Sequence, residues 1–490
     1  MPLPDLIEIV PLTRPVRAEI TVPGSKSITN RALILAALAD GEVTLKGALW
    51  SEDTQIMVEC LVELGFLVNV APDPDELCNR TITVMGRNGL VPPGGTESEP
   101  LDLFVGNAGT AARFLAPFLC LGSGVYRLHG VPRMHERPQA ALFQALRELG
   151  YRIETDNHNE KLPVRIYAGD LGPGGETQTE FNRRRSTPAP AKECRVSTAE
   201  SSQFASALLM IAGSGYVKWV IEMVDENLEE SPYVVMTLSL MQWFPKKGGT
   251  FQIEPDASSG SYFWAAGKFV PLEETLEYSE RFKMMVSTSH LNPVKVAHWP
   301  TSNRQIDEQF PEVLRKSGVG MGIGFELAKE DIGHAFDQDE ISRKKDLGDS
   351  IMTAIVLAPF SPKTFRFTDL GRLRVQECER VVALRTELTK CGAKVEEEGD
   401  TLTVYPSRSS DLHGAEIETY NDHRMAMCFA ILGLKVPGIK IKNPACVKKT
   451  FPNFFQKLAA QPPYGLGVEI WEIKHGQRTR LLDGQDLFAD

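Results

Sequence analysis

The sequence predicts an α/β fold built from six similar units, and two repeated features support this prediction. First, six segments each open with small polar residues that can cap a helix, and they continue as Ala- and Leu-rich runs of helical periodicity. Second, each of these helices is followed by a second helical stretch, a glycine and a strand-like apolar pattern. Glycine is expected at the end of a helix because it tolerates a positive φ angle.

The six helix openings are spread over the chain at residues 23–38, 107–119, 201–213, 256–267, 348–360 and 421–433. The residues that anchor them, at uneven intervals of 55 to 93 residues, are Ser27, Thr110, Gln203, Ser258, Asp349 and Asp422. The fourth opening is shorter and less regular than the others. These intervals are too long and uneven for a solenoid, and they suit βαβ-type units that each bury two helices against a sheet.

Three segments interrupt the repeated plan. Residues 176–195 are polar and contain prolines, which predicts an inserted surface loop. Residues 269–300 are expected to be a longer insertion between the two helices of the fourth unit. The chain beyond residue 470 has no counterpart in the repeat, so we expect a small appendage there.

Composition limits the classes of function. The chain has 490 residues, of which 42% are hydrophobic and 24% charged, and at roughly 150 residues per domain it should form three domains or two large ones. The net charge of −11 argues against nonspecific binding to nucleic acid or to anionic membranes, since both favour basic surfaces. The sequence has no apolar run long enough to span a bilayer and no secretory signal pattern at its start. The eight cysteines are scattered singly, as expected for a cytoplasmic protein with reduced thiols.

Charged residues collect at the predicted helix starts. The basic ones are Lys26, Arg31, Arg113, Arg137, Arg380, Arg424, Lys448 and Lys449, and the acidic ones are Asp349, Glu377 and Asp422. A polar residue at one helix start is usually only a cap, and a single arginine is usually a surface charge. However, a helix N-terminus offers unpaired N–H groups and the positive end of its dipole. Six matched openings with basic residues beside them therefore predict a binding site for anionic groups.

Other familiar site patterns are weak in this sequence. Residues 106–111, GNAGTA, have neither the spacing of a Walker A loop nor that of a dinucleotide fingerprint. His423 lies between Asp422 and Arg424 at a helix start, where a structural histidine is a simpler interpretation than a catalytic base. Since no His, Cys or carboxylate cluster has metal-ligand spacing, we expect no bound metal.

Nine motifs together resemble the 5-enolpyruvylshikimate-3-phosphate (EPSP) synthase family, the 3-phosphoshikimate 1-carboxyvinyltransferases of the shikimate pathway. In chain order the motifs are PGSKSITNRAL, LFVGNAGTAARFL, PRMHERP, SSQFASALLM, EPDASSGSYF, GDSIMTA, RVQECER, YNDHRMAMCFAILG and KKTFPNFF. They follow the family's order and cover nearly the whole chain. Each motif alone is weak, whereas the complete set is specific.

The resemblance implies the enolpyruvyl transferase fold, an α/β architecture similar to an inside-out α/β barrel, with two globular domains that each contain three βαβαββ units. The chain would cross between the domains near Gly24 and near Glu254. One domain would comprise residues 25–253, and the other residues 1–24 and 254–490. The six units found in the repeat agree with this plan.

The resemblance also implies a reaction, in which the 5-hydroxyl of shikimate 3-phosphate takes the enolpyruvyl group of phosphoenolpyruvate and phosphate is released. The catalytic residues that it implies are Lys26, Asp349 and Glu377. The residues that it places at phosphoenolpyruvate are Lys26, Gly109, Arg137, Arg380, Arg424 and Lys449. The residues that it places at shikimate 3-phosphate are Ser27, Arg31, Ser201, Ser202, Gln203, Tyr233 and Asp349, and further substrate-binding positions are Asn107, Arg372 and Gln376. The family uses no metal or other cofactor. We also expect the protein to be a monomer whose partners are these two small molecules.

The chain departs from the family pattern on the acceptor side. A serine of the phosphate site falls at Glu230, beside Ser231, while an asparagine falls at Arg372 and a lysine at Gln376. These changes leave open an alternative, an enolpyruvyl transferase that acts on a different phosphorylated or UDP-linked acceptor. The phosphoenolpyruvate side is unchanged, so the departures concern the acceptor more than the reaction type.

Other residues weigh on these alternatives. The UDP-sugar enzymes use a cysteine on a mobile loop, whereas Cys120, the nearest cysteine here, falls inside an apolar helix and suits packing better. A non-catalytic homologue would be expected to lose catalytic positions such as Lys26 or Glu377, and both are kept. Gly109 implies room for the inhibitor glyphosate, although Phe114 replaces a proline common in sensitive members.

Overall fold

The computed structural model describes residues 3–169, 191–198, 201–224, 232–271, 276–279, 284–287, 293–320 and 339–489. Within this part of the chain the helical patterns form twelve α-helices. They are α1 (Lys26–Leu38), α2 (Glu52–Glu63), α3 (Gly109–Leu119), α4 (Ala140–Glu148), α5 (Ser202–Ala212), α6 (Pro232–Trp243), α7 (Ala257–Ala266), α8 (Phe310–Ser317), α9 (Ile351–Leu357), α10 (Arg380–Lys390), α11 (His423–Gly433) and α12 (Phe454–Ala459). The odd-numbered helices start at the six predicted openings, and the even-numbered ones are the predicted second helices.

Twenty-three strands are found in the described residues. They are β1 (Leu6–Ile9), β2 (Ala18–Ile20), β3 (Glu42–Leu49), β4 (Val68–Pro72), β5 (Asn79–Met85), β6 (Leu101–Phe104), β7 (Gly124–His129), β8 (Arg152–Thr155), β9 (Val164–Ala168), β10 (Lys192–Val196), β11 (Trp219–Met223), β12 (Gly249–Gln252), β13 (Leu276–Ser279), β14 (Met284–Ser287), β15 (Val294–Val296), β16 (Glu340–Ser342), β17 (Phe365–Thr368), β18 (Val395–Glu398), β19 (Thr401–Val404), β20 (Glu416–Ile417), β21 (Ile439–Lys442), β22 (Ile470–Lys474) and β23 (Gln477–Leu482). The sheets they form have the orders β12-β3-β5-β4, β6-β7-β9-β8, β10-β11, β13-β14, β15-β2, β16-β17-β19-β18 and β20-β21-β1-β22-β23.

Two of the four-stranded sheets share one topology. In β6-β7-β9-β8, the parallel strands β6 and β7 are joined through α3, and α4 leads into the antiparallel hairpin β8–β9. In β16-β17-β19-β18, helices α9 and α10 take the same places. Each is a βαβαββ unit, as the resemblance implies. The predicted glycine stops are also present, since Gly65 and Gly150 follow α2 and α4 with φ angles of 88° and 85°.

The first helix of each unit forms the core. All residues of α3 from Gly109 to Leu119 are buried, and a helix that is apolar on all sides is stable only inside a core. Helices α1, α3 and α5 contribute to one hydrophobic cluster, while α7, α9 and α11 contribute to another. The second helices are one-sided, as in α4, where Leu142, Phe143 and Leu146 are buried. Polar residues of the first helices are therefore concentrated at their N-termini.

The chain divides into two large compact units, distinct from the smaller βαβαββ units, and each contains one of the two hydrophobic clusters. One unit comprises Pro23–Glu254, and the other comprises Met1–Val22 together with Pro255–Asp490. The domain boundaries placed by the sequence, 24/25 and 253/254, lie next to these divisions. Among the described residues, no helix is long and apolar enough to cross a membrane.

The prediction of a small appendage beyond residue 470 is wrong. Strand β22 pairs antiparallel with β1, with Ile7 opposite Glu472, and β23 extends the same sheet. Leu482 and Leu487 are buried, so the chain beyond residue 470 completes the core of its unit. The sequence pattern missed this because the pairing partner lies at the opposite end of the chain.

The two expected insertions also contain core strands. Residues 192–195 of the expected surface loop lie in β10, which pairs in parallel with β11 and buries Cys194. Residues 176–190 of that loop lie outside the described part. Within the insertion expected at 269–300, β15 pairs in parallel with β2, and Val294 and Val296 are buried. A hairpin, β13–β14, precedes it.

Candidate active site

The N-termini of α9, α10 and α11 bring five charged side chains together. Asp349 precedes α9, Glu377 and Arg380 lie at the start of α10, Arg424 lies in the first turn of α11, and Lys449 ends the short 3-10 helix Pro444–Lys449. We call these five residues the carboxylate–arginine cluster. Their side chains are between 1% and 12% exposed, so water screens their charges weakly.

Arg380 is the centre of this cluster. Its Nε and Nη2 donate to the two carboxylate oxygens of Asp422 at 2.7 and 3.2 Å, and Nη2 also donates to Oε2 of Glu377 at 2.8 Å. Burial alone would lower the pKa of Arg380, but the carboxylates of Asp422, Glu377 and Asp349 outweigh burial and raise the pKa above its usual value. Arg380 is therefore a permanent cation.

Asp349 lies against three arginines. Arg343 donates to Oδ1 at 2.6 Å, while Oδ2 lies 3.3 Å from Nη2 of Arg424 and 3.7 Å from Nη1 of Arg380. Burial would raise the pKa of Asp349, but Arg424, Arg343 and Arg380 outweigh it and hold that pKa well below the ordinary range. In this arrangement Asp349 is an ionised and strongly paired carboxylate.

Glu377 joins two cations of the cluster. Its Oε1 lies 3.1 Å from Nζ of Lys449, and its Oε2 accepts the bond from Arg380. The side chain is 11% exposed, so it is accessible enough for proton exchange but mostly withdrawn from water. A carboxylate placed between an ammonium and a guanidinium can exchange a proton with a neighbouring group while its charge stays compensated.

Two buried aspartates hold the backbone next to residues of the cluster. Asp422 caps α11 by accepting from the backbone N–H of Arg424 at 2.8 Å. Asp307 accepts from the backbone N–H groups of Gly348 and Ser350 at 2.9 and 3.1 Å, and from the Ser350 hydroxyl at 2.5 Å. These bonds fix the backbone on both sides of Asp349.

One of the acceptor-side positions that the sequence singled out, Gln376, contacts the cluster. Arg372 lies in the 3-10 helix Leu370–Val375 and is half-buried, and the side-chain oxygen of Gln376 accepts from Nη1 of Arg380. Glu379 caps α10 by accepting from the N–H of Val382 at 2.6 Å. Glu230 and Ser231 lie outside the described residues.

In the unit of residues 23–254, Lys26 is the first residue of α1. Its Nζ lies 3.0 Å from Oδ2 of Asp53, which belongs to the first turn of α2 and is 5% exposed. Lys26 itself is 18% exposed, so its ammonium can meet a ligand without leaving Asp53. Ser27, the next residue of α1, is half-buried.

A second group in this unit surrounds Gln203. Its side-chain oxygen accepts from Nη1 of Arg113 at 2.8 Å, and its amide nitrogen donates to the Thr110 hydroxyl at 3.1 Å. Ser201 caps α5 and also accepts from Arg113 at 3.3 Å, and Ser202 is buried beside it. The N-termini of α3 and α5 are thus joined by neutral groups around one buried guanidinium.

Arg137 lies over the N-terminus of α3. Its Nη1 donates to the backbone oxygen of Asn107 at 3.1 Å. A Cβ atom added to Gly109 would lie 2.7 Å from the guanidinium carbon and from both terminal nitrogens of Arg137. The close approach of guanidinium and backbone at a helix N-terminus therefore requires glycine at this position, and it suits an anion that contacts both.

Arg31 has a different environment from the one expected of a substrate ligand. It is 1% exposed, and its guanidinium donates to Thr237, to Ser206 and to the backbone oxygens of Ser27 and Tyr233. Its carbon lies 5.0 Å from the centre of the Phe114 ring. Arg31 thus links α1 to α5 and α6 inside the core, and its predicted contact with substrate would require it to exchange these partners.

Three residues that matter for the geometry were missed by sequence reasoning. Asp53 pairs with Lys26, Arg343 pairs with Asp349, and Asp307 holds the turn before α9. None of them lies in a motif that signals chemistry. Their signal is spatial, because each is recognised only through the residue that it contacts in the folded structure.

The remaining sequence interpretations concern single residues. His423 is buried with Nδ1 3.7 Å from Oδ1 of Asp422, which fits the structural interpretation. Cys120 is buried and donates to the backbone oxygen of Ala116 at 3.5 Å, so it packs as expected. Among the described residues, no group of three or more His, Cys, Asp or Glu side chains is arranged to hold a metal ion.

Comparison with known families and curated proteins gives consistent matches. The family model of EPSP synthase (3-phosphoshikimate 1-carboxyvinyltransferase) matches residues 11–247 and 284–458. The 3-phosphoshikimate 1-carboxyvinyltransferase of Trichormus variabilis is 36% identical over 471 residues, which cover 92% of this chain and 98% of the relative. That of Burkholderia ambifaria is 35% identical over 466 residues, covering 90% of this chain and 96% of the relative.

Solved structures show the same fold at lower identity. The EPSP synthase of Acinetobacter baumannii is similar with a TM-score of 0.65 and 18% identity, covering 95% of this chain and 99% of that one. The enolpyruvyl transferase NikO of Streptomyces tendae is similar with a TM-score of 0.59 and 14% identity, covering 95% of this chain and 98% of that one. The predicted α/β enolpyruvyl transferase fold is confirmed by these matches.

Proposed function

The chain belongs to the EPSP synthase family, and from this premise we propose how its own residues carry out the family's reaction. Its activity is that of a 3-phosphoshikimate 1-carboxyvinyltransferase, which transfers the enolpyruvyl group of phosphoenolpyruvate to shikimate 3-phosphate in the shikimate pathway. The relatives that share this activity favour shikimate 3-phosphate over the other acceptors that Arg372 and Gln376 had left open.

The reaction requires two proton transfers and cations for several anionic groups. The oxygen of the 5-hydroxyl bonds to C2 of phosphoenolpyruvate, its proton passes to a base, and C3 receives a proton from an acid. The bond from C2 to the phosphate oxygen then breaks, C3 returns a proton, and phosphate leaves with the bonding electrons. Both steps need positive charge near the substrate anions.

We assign the proton transfers to Asp349 and Glu377, with Lys26 assisting. The observation that carries this assignment is the carboxylate–arginine cluster, in which two mostly buried carboxylates lie among cations at three helix N-termini. Such a site can bind anions and exchange protons in one place. Lys26 remains partly exposed beside Asp53 and is able to donate a proton.

The proposed phosphoenolpyruvate ligands are the cations of this cluster and of the α3 N-terminus. Arg380 and Arg424 offer planar guanidinium groups, which bind a carboxylate through two parallel hydrogen bonds. Lys449 offers a point charge suited to phosphate. Arg137, together with the backbone at Gly109 and with Lys26, supplies the same kind of contacts in the other unit.

The proposed ligands of shikimate 3-phosphate are mostly neutral. They offer hydroxyl and amide groups that suit a hydroxylated ring and its phosphate. They are Ser27, Asn107, Ser201, Ser202, Gln203, Tyr233, Asp349, Arg372 and Gln376, with Arg31 as a further candidate. The exchange of partners needed by Arg31 makes it the least well placed of this set.

Phosphate release tests the activity directly. Purified protein is given phosphoenolpyruvate with shikimate 3-phosphate, and shikimate without the phosphate serves as the matched control acceptor. We expect phosphate and enolpyruvyl product in equal amounts, with both substrates required and the control acceptor giving far less. No release with shikimate 3-phosphate would contradict the proposal.

We also propose that the enzyme works as a monomer in a reducing compartment such as the cytoplasm. All eight cysteines are free thiols, which supports a reducing environment. Light scattering of the purified protein tests the first statement, since a particle of twice the chain mass would contradict it. Localisation of the tagged full chain in cells tests the second.

A further inference from the structure

Asp349 is held unevenly by its three arginines. The contact of Oδ1 with Arg343 is 2.6 Å long, whereas Oδ2 lies 3.3 Å from Arg424 and 3.7 Å from Arg380. Charge-assisted hydrogen bonds between nitrogen and oxygen are ordinarily about 2.7–2.9 Å long. The bond to Arg343 is therefore tight, and the contacts with the other two arginines are loose.

Arg380 and Arg424 each have contacts besides the one with Asp349. Arg380 is fixed by Asp422 and Glu377, through bonds of 2.7 and 2.8 Å. Arg424 lies in the first turn of a helix that is capped by Asp422, and its Nη1 lies 3.4 Å from the Tyr262 hydroxyl. Its buried Nε–H has no hydrogen-bond partner among the described residues. An incoming anion could therefore bind both arginines at shorter distances than Asp349 does.

Arg343 belongs to a different kind of element from the other two arginines. It follows strand β16, and its backbone N–H donates to the oxygen of Thr368 at 3.1 Å. The residue is 8% exposed, and its Nη2 lies 2.6 Å from Oδ1 of Asp349. Arg380 and Arg424 extend from helix N-termini, which favour anions, whereas Arg343 extends from the end of a sheet strand. Its place thus suits a partner of the carboxylate better than a ligand of the substrate.

We propose that Arg343 is a positioning residue that keeps Asp349 in place while the carboxylate of phosphoenolpyruvate takes Arg380 and Arg424 from it. This inference rests on the proposed function, because it assumes that phosphoenolpyruvate binds these two arginines. In the free enzyme the two arginines occupy Oδ2. In the complex they bind the substrate, and Oδ2 becomes available to the acceptor hydroxyl while Arg343 still holds Oδ1.

The exchange changes the basicity of Asp349. With three cations close by, its pKa lies well below the ordinary range despite its burial, and such a carboxylate is a weak base. Loss of two cations to the substrate raises the pKa, so the base becomes effective once phosphoenolpyruvate is bound. The other titratable groups that face these arginines are Asp256, Asp307 and Tyr262 around Arg424, and Glu377 and Asp422 around Arg380.

The test compares Arg343→Gln and Arg343→Lys with the wild type by the pH dependence of kcat. Arg343→Gln removes the last cation beside Asp349 in the complex, so the pKa of the base rises and the acid limb of kcat moves upward by about 1–3 pH units. We also expect kcat to fall by about 100-fold or less, because a misplaced base loses its geometry. Arg343→Lys keeps the charge and should keep the acid limb near its wild-type position.

The matched control is Arg315→Gln, which removes an exposed arginine paired with Glu312 in the same unit and should change neither quantity. An active Arg343→Gln variant whose acid limb stays in place would overturn the inference, since a purely structural role lowers kcat without moving the limb. If Arg343→Gln does not fold, Arg343→Lys decides: a higher KM for phosphoenolpyruvate at unchanged kcat would make Arg343 a substrate ligand instead. A wild type that releases no phosphate would overturn the proposed function, and this inference with it.

Discussion

The two units hold the arginines of the candidate site with different chemical groups. In the unit of residues 23–254, Arg113 is held by Ser201, Gln203 and a backbone oxygen, and Arg137 by the backbone oxygen of Asn107. In the other unit, Arg380 is held by the carboxylates of Asp422 and Glu377. Among the candidate site residues of residues 23–254, which we call the first unit, Lys26 is paired with a carboxylate, that of Asp53, and Lys26 is partly exposed.

This difference separates two tasks, the binding of anions and the transfer of protons. A cation surrounded by neutral acceptors keeps its whole charge for an incoming anion, so the first unit is built for binding. Cations interleaved with carboxylates are already compensated, and the carboxylates are placed to exchange protons. The second unit therefore contains both carboxylate candidates for proton transfer. Substitution of these carboxylates should act mainly on kcat, and substitution of Arg137 in the first unit should act mainly on KM.

The largest effect is expected at Glu377. Glu377→Gln keeps the shape but removes the proton-transfer group, so kcat should fall by about 10²–10⁴-fold with little change in KM. Steady-state kinetics with both substrates measures this. The matched control is Glu312→Gln, at an exposed carboxylate of the same unit, and its kcat should remain normal. A near-normal kcat in Glu377→Gln would break the comparison, because the catalytic carboxylate would then lie elsewhere.

The next largest effect is expected on the free energy of unfolding, when the ion pair between Asp422 and Arg380 is broken. Asp422 is fully buried beside Arg380, and Asp422→Asn keeps the helix cap but leaves the guanidinium with less compensation. We expect a loss of about 3 kcal/mol in the free energy of unfolding, at the low end for a broken buried pair because Glu377 remains.

The counterpart in the first unit is Asp53→Asn, beside the partly exposed Lys26. Water can solvate that ammonium when the carboxylate is lost, so the expected cost is about 1 kcal/mol or less. Urea unfolding of both variants gives the comparison. Equal losses would show that the two units do not differ in how strongly their cations depend on carboxylates.

The sequence predicted the helical part of this architecture because its signals are local. A cap, an Ala- and Leu-rich run and a terminal glycine lie within one stretch of chain, and α1, α3 and α5 follow from them. Strand β22 could not be predicted, because it is defined by pairing with β1 near residue 7. The same holds for β10, whose alternation is too short to stand out without β11 beside it.

The candidate site shows the same limit. Lys26, Glu377 and Lys449 were identified because they lie in motifs, whereas Arg343 became visible only through its contact with Asp349. Arg31 lies in a motif as well, yet the structure surrounds it with core partners, among them Thr237 on α6. Sequence motifs thus mark which residues are special but do not separate a ligand contact from a packing contact.

An effect on binding alone is expected at Arg137. Arg137→Gln removes a cation that donates to the backbone oxygen of Asn107 and has no ion pair with a carboxylate among the described residues, so kcat should change little. The KM for phosphoenolpyruvate should rise by about 10- to 100-fold, which corresponds to about 1.4–2.7 kcal/mol and is typical of a charged hydrogen bond. Arg133→Gln, at an exposed arginine paired with Glu136, is the control and should leave KM unchanged. A loss confined to kcat would contradict the division between the units.

The smallest effect is expected at Gly109, where the same one-carbon change can be compared between the units. In Gly109→Ala the added Cβ would lie 2.7 Å from the Arg137 guanidinium, so this flexible side chain must shift away from the helix N-terminus. Because alanine suits a helix at least as well as glycine, the free energy of unfolding should not fall, while KM for phosphoenolpyruvate rises by a few-fold, about 1 kcal/mol or less.

In Gly260→Ala of α7, the Cβ would lie 2.5 Å from the Trp299 ring, which is packed and cannot move as easily. That variant should lose about 1–3 kcal/mol of stability by overpacking, with KM unchanged among correctly folded molecules. If Gly109→Ala instead lost stability at an unchanged KM, the guanidinium of Arg137 would be a packing group like that of Arg31, and the first unit would have one binding cation fewer.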